Sequence, residues 1–125
     1  MKTQVKPLAL IIEDNDSLTD IFTQAMKVAD FETQAIANGQ QAIDILANLE
    51  PAVVILDLYL PGISGDKILT YIRNENRLQK VIIVLTTFDS LMADKLQDQC
   101  DFVLLKPVSF SQLRDLGIRL RTTLK

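Results

Sequence analysis

Four apolar runs in this chain each stop at a residue able to do chemistry. Leu8-Ala9-Leu10-Ile11-Ile12 ends at Glu13-Asp14, and Val53-Val54-Ile55-Leu56 ends at Asp57. Val81-Ile82-Ile83-Val84-Leu85 ends at Thr86-Thr87, and Phe102-Val103-Leu104-Leu105 ends at Lys106-Pro107. The chemistry on offer is that of three carboxylates, two hydroxyls and one ammonium. The chain has no histidine, which removes histidine metal sites, Ser-His-Asp triads and any role as a phosphohistidine donor. The single cysteine, Cys100, excludes an internal disulfide and fits a reducing compartment.

These residues need a scaffold that brings four strand ends to one place. The central run, Val53 to Leu56, carries no polar residue and reads as a strand buried on both faces, with Pro61-Gly62 turning the chain after it. Between the runs lie helical patterns. Ser17 with Asp20 reads as a capping box ahead of Leu18, Ile21, Phe22 and Ala25, and Asn38 with Gln41 caps a stripe of Ala42, Ile45, Leu46 and Leu49. Asp66 opens a third helix with Ile68, Leu69 and Ile72, and Ser90 to Gln99 forms a fourth with a thin apolar face of Met92, Ala93 and Leu96. Ser109 with Gln112 caps a last helix bearing Leu113, Leu116, Leu120 and Leu124. Glu32 to Ala37 is partly polar and suits a sheet edge. Strict alternation of strand and helix, five times over, predicts a doubly wound α/β fold of flavodoxin-like type, a parallel sheet in the order 2-1-3-4-5.

In that order the first and third strands are neighbours, about 4.8 Å apart, so Glu13, Asp14 and Asp57 gather within about 5–8 Å of one another. Two charges at about 5 Å repel by roughly 3 kcal/mol at an effective dielectric near 20. A hard cation held by oxygen, Mg²⁺ or in its place Mn²⁺, is the expected remedy. Lys106 adds a point charge on the far side of the acid cluster, and Thr86 adds a hydroxyl donor beside it. A metal, an ammonium and a hydroxyl around one carboxylate suit a phosphoryl group, with Asp57 as the nucleophile that would form an acyl phosphate.

With these residues in view the chain resembles the receiver domain of bacterial response regulators. The resemblance is carried by strand-Glu13-Asp14, by Asp57-x-x-x-Pro61-Gly62-x-x-Gly65, by strand-Thr86 and by strand-Lys106-Pro107, and it runs the whole length of the chain. It implies that Asp57 is the phosphoacceptor, charged from a histidine kinase or phosphotransfer protein. It implies further that Asp14 and Asp57 hold Mg²⁺ directly, Glu13 through water, and the Tyr59 backbone carbonyl as a further ligand. Thr86 and Lys106 would hold the phosphoryl oxygens, and the Lys106–Pro107 bond would be cis. Such a protein catalyses only its own phosphorylation and dephosphorylation, and so is not an enzyme acting on other molecules.

The pattern is broken in places. Receivers usually carry an aromatic residue three before the lysine, and that position is Val103, with Phe102 one residue earlier. The Gln97–Asp101 segment is slightly short, and Thr87 stands where alanine is common. The output surface is expected on the fourth helix, fifth strand and fifth helix, acidic on one half (Asp89, Asp94, Asp98, Asp101) and basic on the other (Arg114, Arg119, Arg121, Lys125). Such a surface suits a downstream protein or a homodimer better than DNA.

At 125 residues, 48% hydrophobic, 23% charged and with a net charge of −3, the chain reads as one soluble domain spanning 1–125 with no output domain and no direct DNA binding. The apolar run after Lys2 and Lys6 is five residues long, too short for a signal-peptide core or a membrane span, so a cytoplasmic protein without membrane attachment is expected. Two other functions compete. A phosphorylation-independent interaction module with the same fold is the alternative, and the intact acid cluster with Lys106 speaks against it. An aspartyl-nucleophile phosphatase would need a second acid where Tyr59 stands, and a flavodoxin would need a first loop without acids.

Overall fold

The computed structural model describes residues 5–124, so Lys2 and Lys125 lie outside the described residues. Strands β1 (Leu8–Ile12), β2 (Glu32–Ile36), β3 (Val53–Asp57), β4 (Ile82–Thr87) and β5 (Phe102–Leu105) form one sheet in the order β2-β1-β3-β4-β5, every pair parallel. Helices α1 (Asp16–Val28), α2 (Gly39–Leu46), α3 (Gly65–Asn74), α4 (Ser90–Leu96) and α5 (Phe110–Thr123) alternate with the strands. The expected doubly wound fold and its strand order are those observed.

The side-chain alternation of the strands builds two cores, one on each face of the sheet. Ala9, Ile11, Val53, Ile55 and Val84 face α1 and α5, where Phe22, Met26, Leu113 and Leu116 cover them. Leu10, Ile12, Val54, Leu56, Ile83 and Leu85 face the other way, onto Leu46, Ile68, Leu69 and Ile72. Strand β3 is buried throughout because it lies in the middle of the sheet between both helical layers. The β2 edge is mixed in burial, as its partly polar sequence demands.

Local structure departs from the sequence expectation at three points. Helix α1 is capped by Asn15, whose Oδ1 accepts from Leu18 N at 2.9 Å, so the capping residue sits two positions before Ser17. The pattern around Gln97–Gln99 is a separate 3₁₀ turn, and α4 closes at Leu96 with Ala93 as its one buried residue. The short connection to β5 is pinned from outside: Arg73 donates to Gln99 O at 2.7 Å, Val81 O at 3.1 Å and Asp101 Oδ2 at 2.9 Å. Asp101 Oδ2 also accepts from Ile83 N at 2.8 Å, so this acid organises the starts of β4 and β5 and is no mere surface charge.

At the position three before the lysine the structure follows the sequence. Val103 packs on the α2–α3 side of the sheet, and Phe102 is 39% exposed. Among the described residues no helix is long and apolar enough to cross a membrane.

Candidate phosphoryl and metal site

The parallel sheet delivers the candidate residues to one edge. Asp57 is the last residue of β3 and lies in register with Thr86 on β4, while Leu58 N donates to Thr86 O at 3.2 Å just beyond. Glu13 and Asp14 follow β1, which pairs with β3 through Ile12 and Leu56. Lys106 follows β5 and is anchored by its own N–H to Thr87 O at 2.8 Å. Lys106–Pro107 is a cis bond.

The Lys106 ammonium donates to Glu13 Oε1 at 2.9 Å and to Asp57 Oδ1 at 3.2 Å. All three side chains are buried, with 6%, 2% and 7% exposure. Glu13 Oε2 accepts from Asn15 N at 3.1 Å, so both of its oxygens are engaged inside the protein. Asp14 is exposed, at the rim. Oxygens of Glu13, Asp14 and Asp57 all lie within 4.8 Å of one another. The sequence placed Lys106 beyond the acids, whereas its ammonium sits between two of them and offsets their repulsion.

Burial raises the Asp57 pKa to about 6, and the neighbouring Glu13 charge pushes the same way against the lowering pull of Lys106. Burial alone would lower the Lys106 pKa, but its hydrogen bond to Glu13 and the charges of Asp57 and Glu13 outweigh this, so the net shift is upward and the ammonium stays charged. Because the folded pKa of Asp57 exceeds its unfolded value, ionising it costs stability. The cost is absent below about pH 4, grows as pH rises and is complete above about pH 6. In EDTA, Asp57→Asn should therefore be more stable than the wild type at pH 7.5, by roughly 1–3 kcal/mol. That advantage should vanish near pH 4 in urea unfolding. An advantage that persists at pH 4 would mean that charge is not its source.

Thr86 is fully buried, and its Oγ1 has no hydrogen-bond partner among the described residues. An orphaned buried hydroxyl costs about 1–3 kcal/mol, and here it sits one strand across from Asp57. The donor set fits a hard divalent cation: two inward carboxylates and one at the rim, oxygen only, with Asp57 largely deprotonated at neutral pH. The Tyr59 backbone follows two residues after Asp57 and leads into the turn closed by Gly65 N donating to Leu58 O at 2.8 Å.

Sequence reasoning did not foresee the contacts that three residues make around this site. Phe88 is 73% exposed, yet its ring centroid lies 5.7 Å from the Lys106 ammonium. Asp89, expected in the acidic half of the output surface, caps α4 through Met92 N at 3.1 Å and accepts the Tyr59 hydroxyl. Thr87 Oγ1 accepts from Asp89 N at 3.0 Å. The available signal was the spacing from Asp89 to Met92, an acid three residues ahead of a helical amide.

A family model of the response regulator receiver domain matches residues 9–116. The polar-differentiation response regulator DivK of Brucella anthropi is 24% identical over 103 residues, which is 80% of this chain and 84% of DivK. The DNA-binding response regulator MtrA of Mycolicibacterium smegmatis is 28% identical over 116 residues, 93% of this chain and 50% of MtrA. In fold, the chain is similar to the receiver domain of a Pseudomonas aeruginosa sensor histidine kinase whose active site cleft coordinates a magnesium ion. That likeness has a TM-score of 0.82 at 21% identity and covers 94% of this chain and 99% of the other.

Proposed function

The chain belongs to the response regulator receiver domain family of two-component signalling, and from that premise we propose that Asp57 accepts a phosphoryl group from a histidine kinase or phosphotransfer protein. The observation that carries this reading is the Lys106 ammonium bridging Glu13 and Asp57, with the partnerless Thr86 hydroxyl in register beside them. An Asp57 carboxylate oxygen attacks phosphorus and forms the O–P bond. The bond from phosphorus to the donor's imidazole nitrogen breaks, and that nitrogen keeps the electron pair and takes a proton. Lys106 donates to one phosphoryl oxygen and Thr86 Oγ1 to another. Asp14, Asp57 and the Tyr59 carbonyl would hold Mg²⁺, or Mn²⁺ in its place, with Glu13 acting through water. When bound, the cation neutralises charge on the transferring group.

The same reading puts the chain in the cytoplasm, acting on no other molecule as an enzyme and without direct DNA binding. Its downstream partner, a protein or a second copy, would dock on α4, β5 and α5. Leu91, Phe102, Leu105 and Ile118 are exposed there by 74%, 39%, 49% and 44%, apolar area of the kind that marks partner surfaces. The charge halves are weaker than the sequence suggested. Asp89 and Asp101 are engaged as described, and Arg121 pairs with Asp30 at 3.3 Å.

Incubation with acetyl phosphate and Mg²⁺ should add one phosphoryl group to the intact mass, with EDTA suppressing it and Asp57→Asn removing it. A mass shift that survives in Asp57→Asn would place the chemistry elsewhere. No shift in the wild type, from acetyl phosphate or from a phosphorylated histidine donor, would favour the phosphorylation-independent module.

A further inference from the structure

Three loops at the site's edge are joined by two contacts that meet on adjacent residues. Tyr59, 59% exposed on the loop after β3, donates its hydroxyl to Asp89 Oδ2 on the loop after β4. Phe88, the neighbour of Asp89, lies with its ring against Lys106 after β5. Asp89 is tied twice more, its N–H to Thr87 Oγ1 and its Oδ1 to Met92 N at the start of α4. A large exposed tyrosine bonded to a helix cap thirty positions away is a contact the core does not require.

We infer that Tyr59 and Asp89 form a latch that holds the β4–α4 loop in the unphosphorylated arrangement and thereby weakens binding of a phosphoryl group at Asp57. The inference rests on the phosphoacceptor reading above. The Thr86 hydroxyl is without a partner among the described residues, and a phosphoryl oxygen beside Asp57 would supply one. Drawing Thr86 toward that oxygen drags Thr87, Phe88 and Asp89, the next residues of the same backbone. Helix α4 offers little resistance, being seven residues long with one buried side chain. What resists is the bond between Asp89 and Tyr59, which follows Leu58, a residue whose N–H and carbonyl are held by Thr86 O and Gly65 N. A bond present in one state and lost in the other biases the equilibrium by its own strength, and the bias is felt equally by whatever binds the second state. For an exposed hydrogen bond to a carboxylate this amounts to roughly three- to tenfold in affinity.

The test uses beryllofluoride with Mg²⁺ as the phosphoryl probe, titrated by calorimetry. The proteins are the wild type, Tyr59→Phe, Asp89→Ser and the double variant. Serine keeps the helix cap but cannot reach Tyr59. Each single variant should bind the probe roughly three- to tenfold more tightly, and the double variant no more tightly than either, since both remove one bond. Without Mg²⁺, amide exchange from Phe88 to Met92 should quicken in Tyr59→Phe. Unchanged or weaker binding in the single variants, or gains that add in the double variant, would overturn the latch while leaving the phosphoacceptor reading intact. A wild type that binds no probe, alongside an equally inert Asp57→Asn, would overturn both.

Discussion

Lys106→Met should lower stability by roughly 3–5 kcal/mol at pH 7.5 in the absence of divalent cations, a large part of the about 5–15 kcal/mol that holds a domain of this size together. The ammonium is the sole cation bonded to Glu13 and Asp57 among the described residues, and both acids are almost wholly buried. Methionine fills much the same volume, so the loss is electrostatic. Two buried carboxylates then face each other without a compensating cation. The folded pKa of Asp57 already lies above its unfolded value and would lose the lowering pull of Lys106, so the cost grows as pH rises through that range and fades at low pH. Urea unfolding at pH 7.5 and at pH 4.5 measures the difference. Mg²⁺ at pH 7.5 should recover part of the loss, because a cation at the acids replaces the missing charge. A loss of equal size at both pH values would show that Lys106 matters through packing alone.

Gly65→Ala should cost about 3 kcal/mol or more, at the upper end of what overpacking does, and should impair phosphoryl acceptance in the protein that still folds. A methyl group there would lie 2.2 Å from Asp57 O and 2.7 Å from Leu58 Cα. Both are backbone atoms, so no rotamer change relieves the clash. Either α3 must withdraw, breaking the bond from Gly65 N to Leu58 O, or the end of β3 must shift and carry the Asp57 carboxylate with it. Gly117→Ala is the useful comparison. Its methyl group would meet Met26 Sδ at 3.1 Å, which can turn aside, and Ala29 Cβ at 2.8 Å, which lies just past the end of α1 and can give way without moving a strand end of the site. Thermal unfolding and acetyl phosphate labelling of the two variants should separate them. Equal stability losses with normal labelling in Gly65→Ala would mean that the β3–α3 junction tolerates displacement and does not set the position of Asp57.

The amino-acid sequence alone determined the five strands and the deep burial of β1, β3 and β4, because unbroken apolar runs between amphipathic helical stretches have few ways to be covered on both faces, and the strict alternation pointed to the strand order. That the apolar β5 lies half-exposed at the sheet edge was decided by the tertiary structure. It also determined which residues end those strands. Once the sheet is parallel, Glu13, Asp14, Asp57, Thr86 and Lys106 must share one edge, whatever the details of packing. Gly65 was legible as part of a pattern, but its reason was not: only the approach of α3 to the carbonyl of Asp57 makes a side chain intolerable there. The cap of α1 was misplaced for a similar cause. Ser17-to-Asp20 spacing is a good local signal, yet Asn15 wins because its N–H is already held by Glu13, an acid fixed by the sheet. Tertiary structure alone decided that Lys106 lies between Glu13 and Asp57, 93 and 49 positions away, that Arg73 clamps Asp101, and that Tyr59 reaches Asp89. Long polar side chains on loops have several partners within reach. Which one they take depends on ångström-scale placement of the strand ends, and no periodicity in the chain encodes that placement.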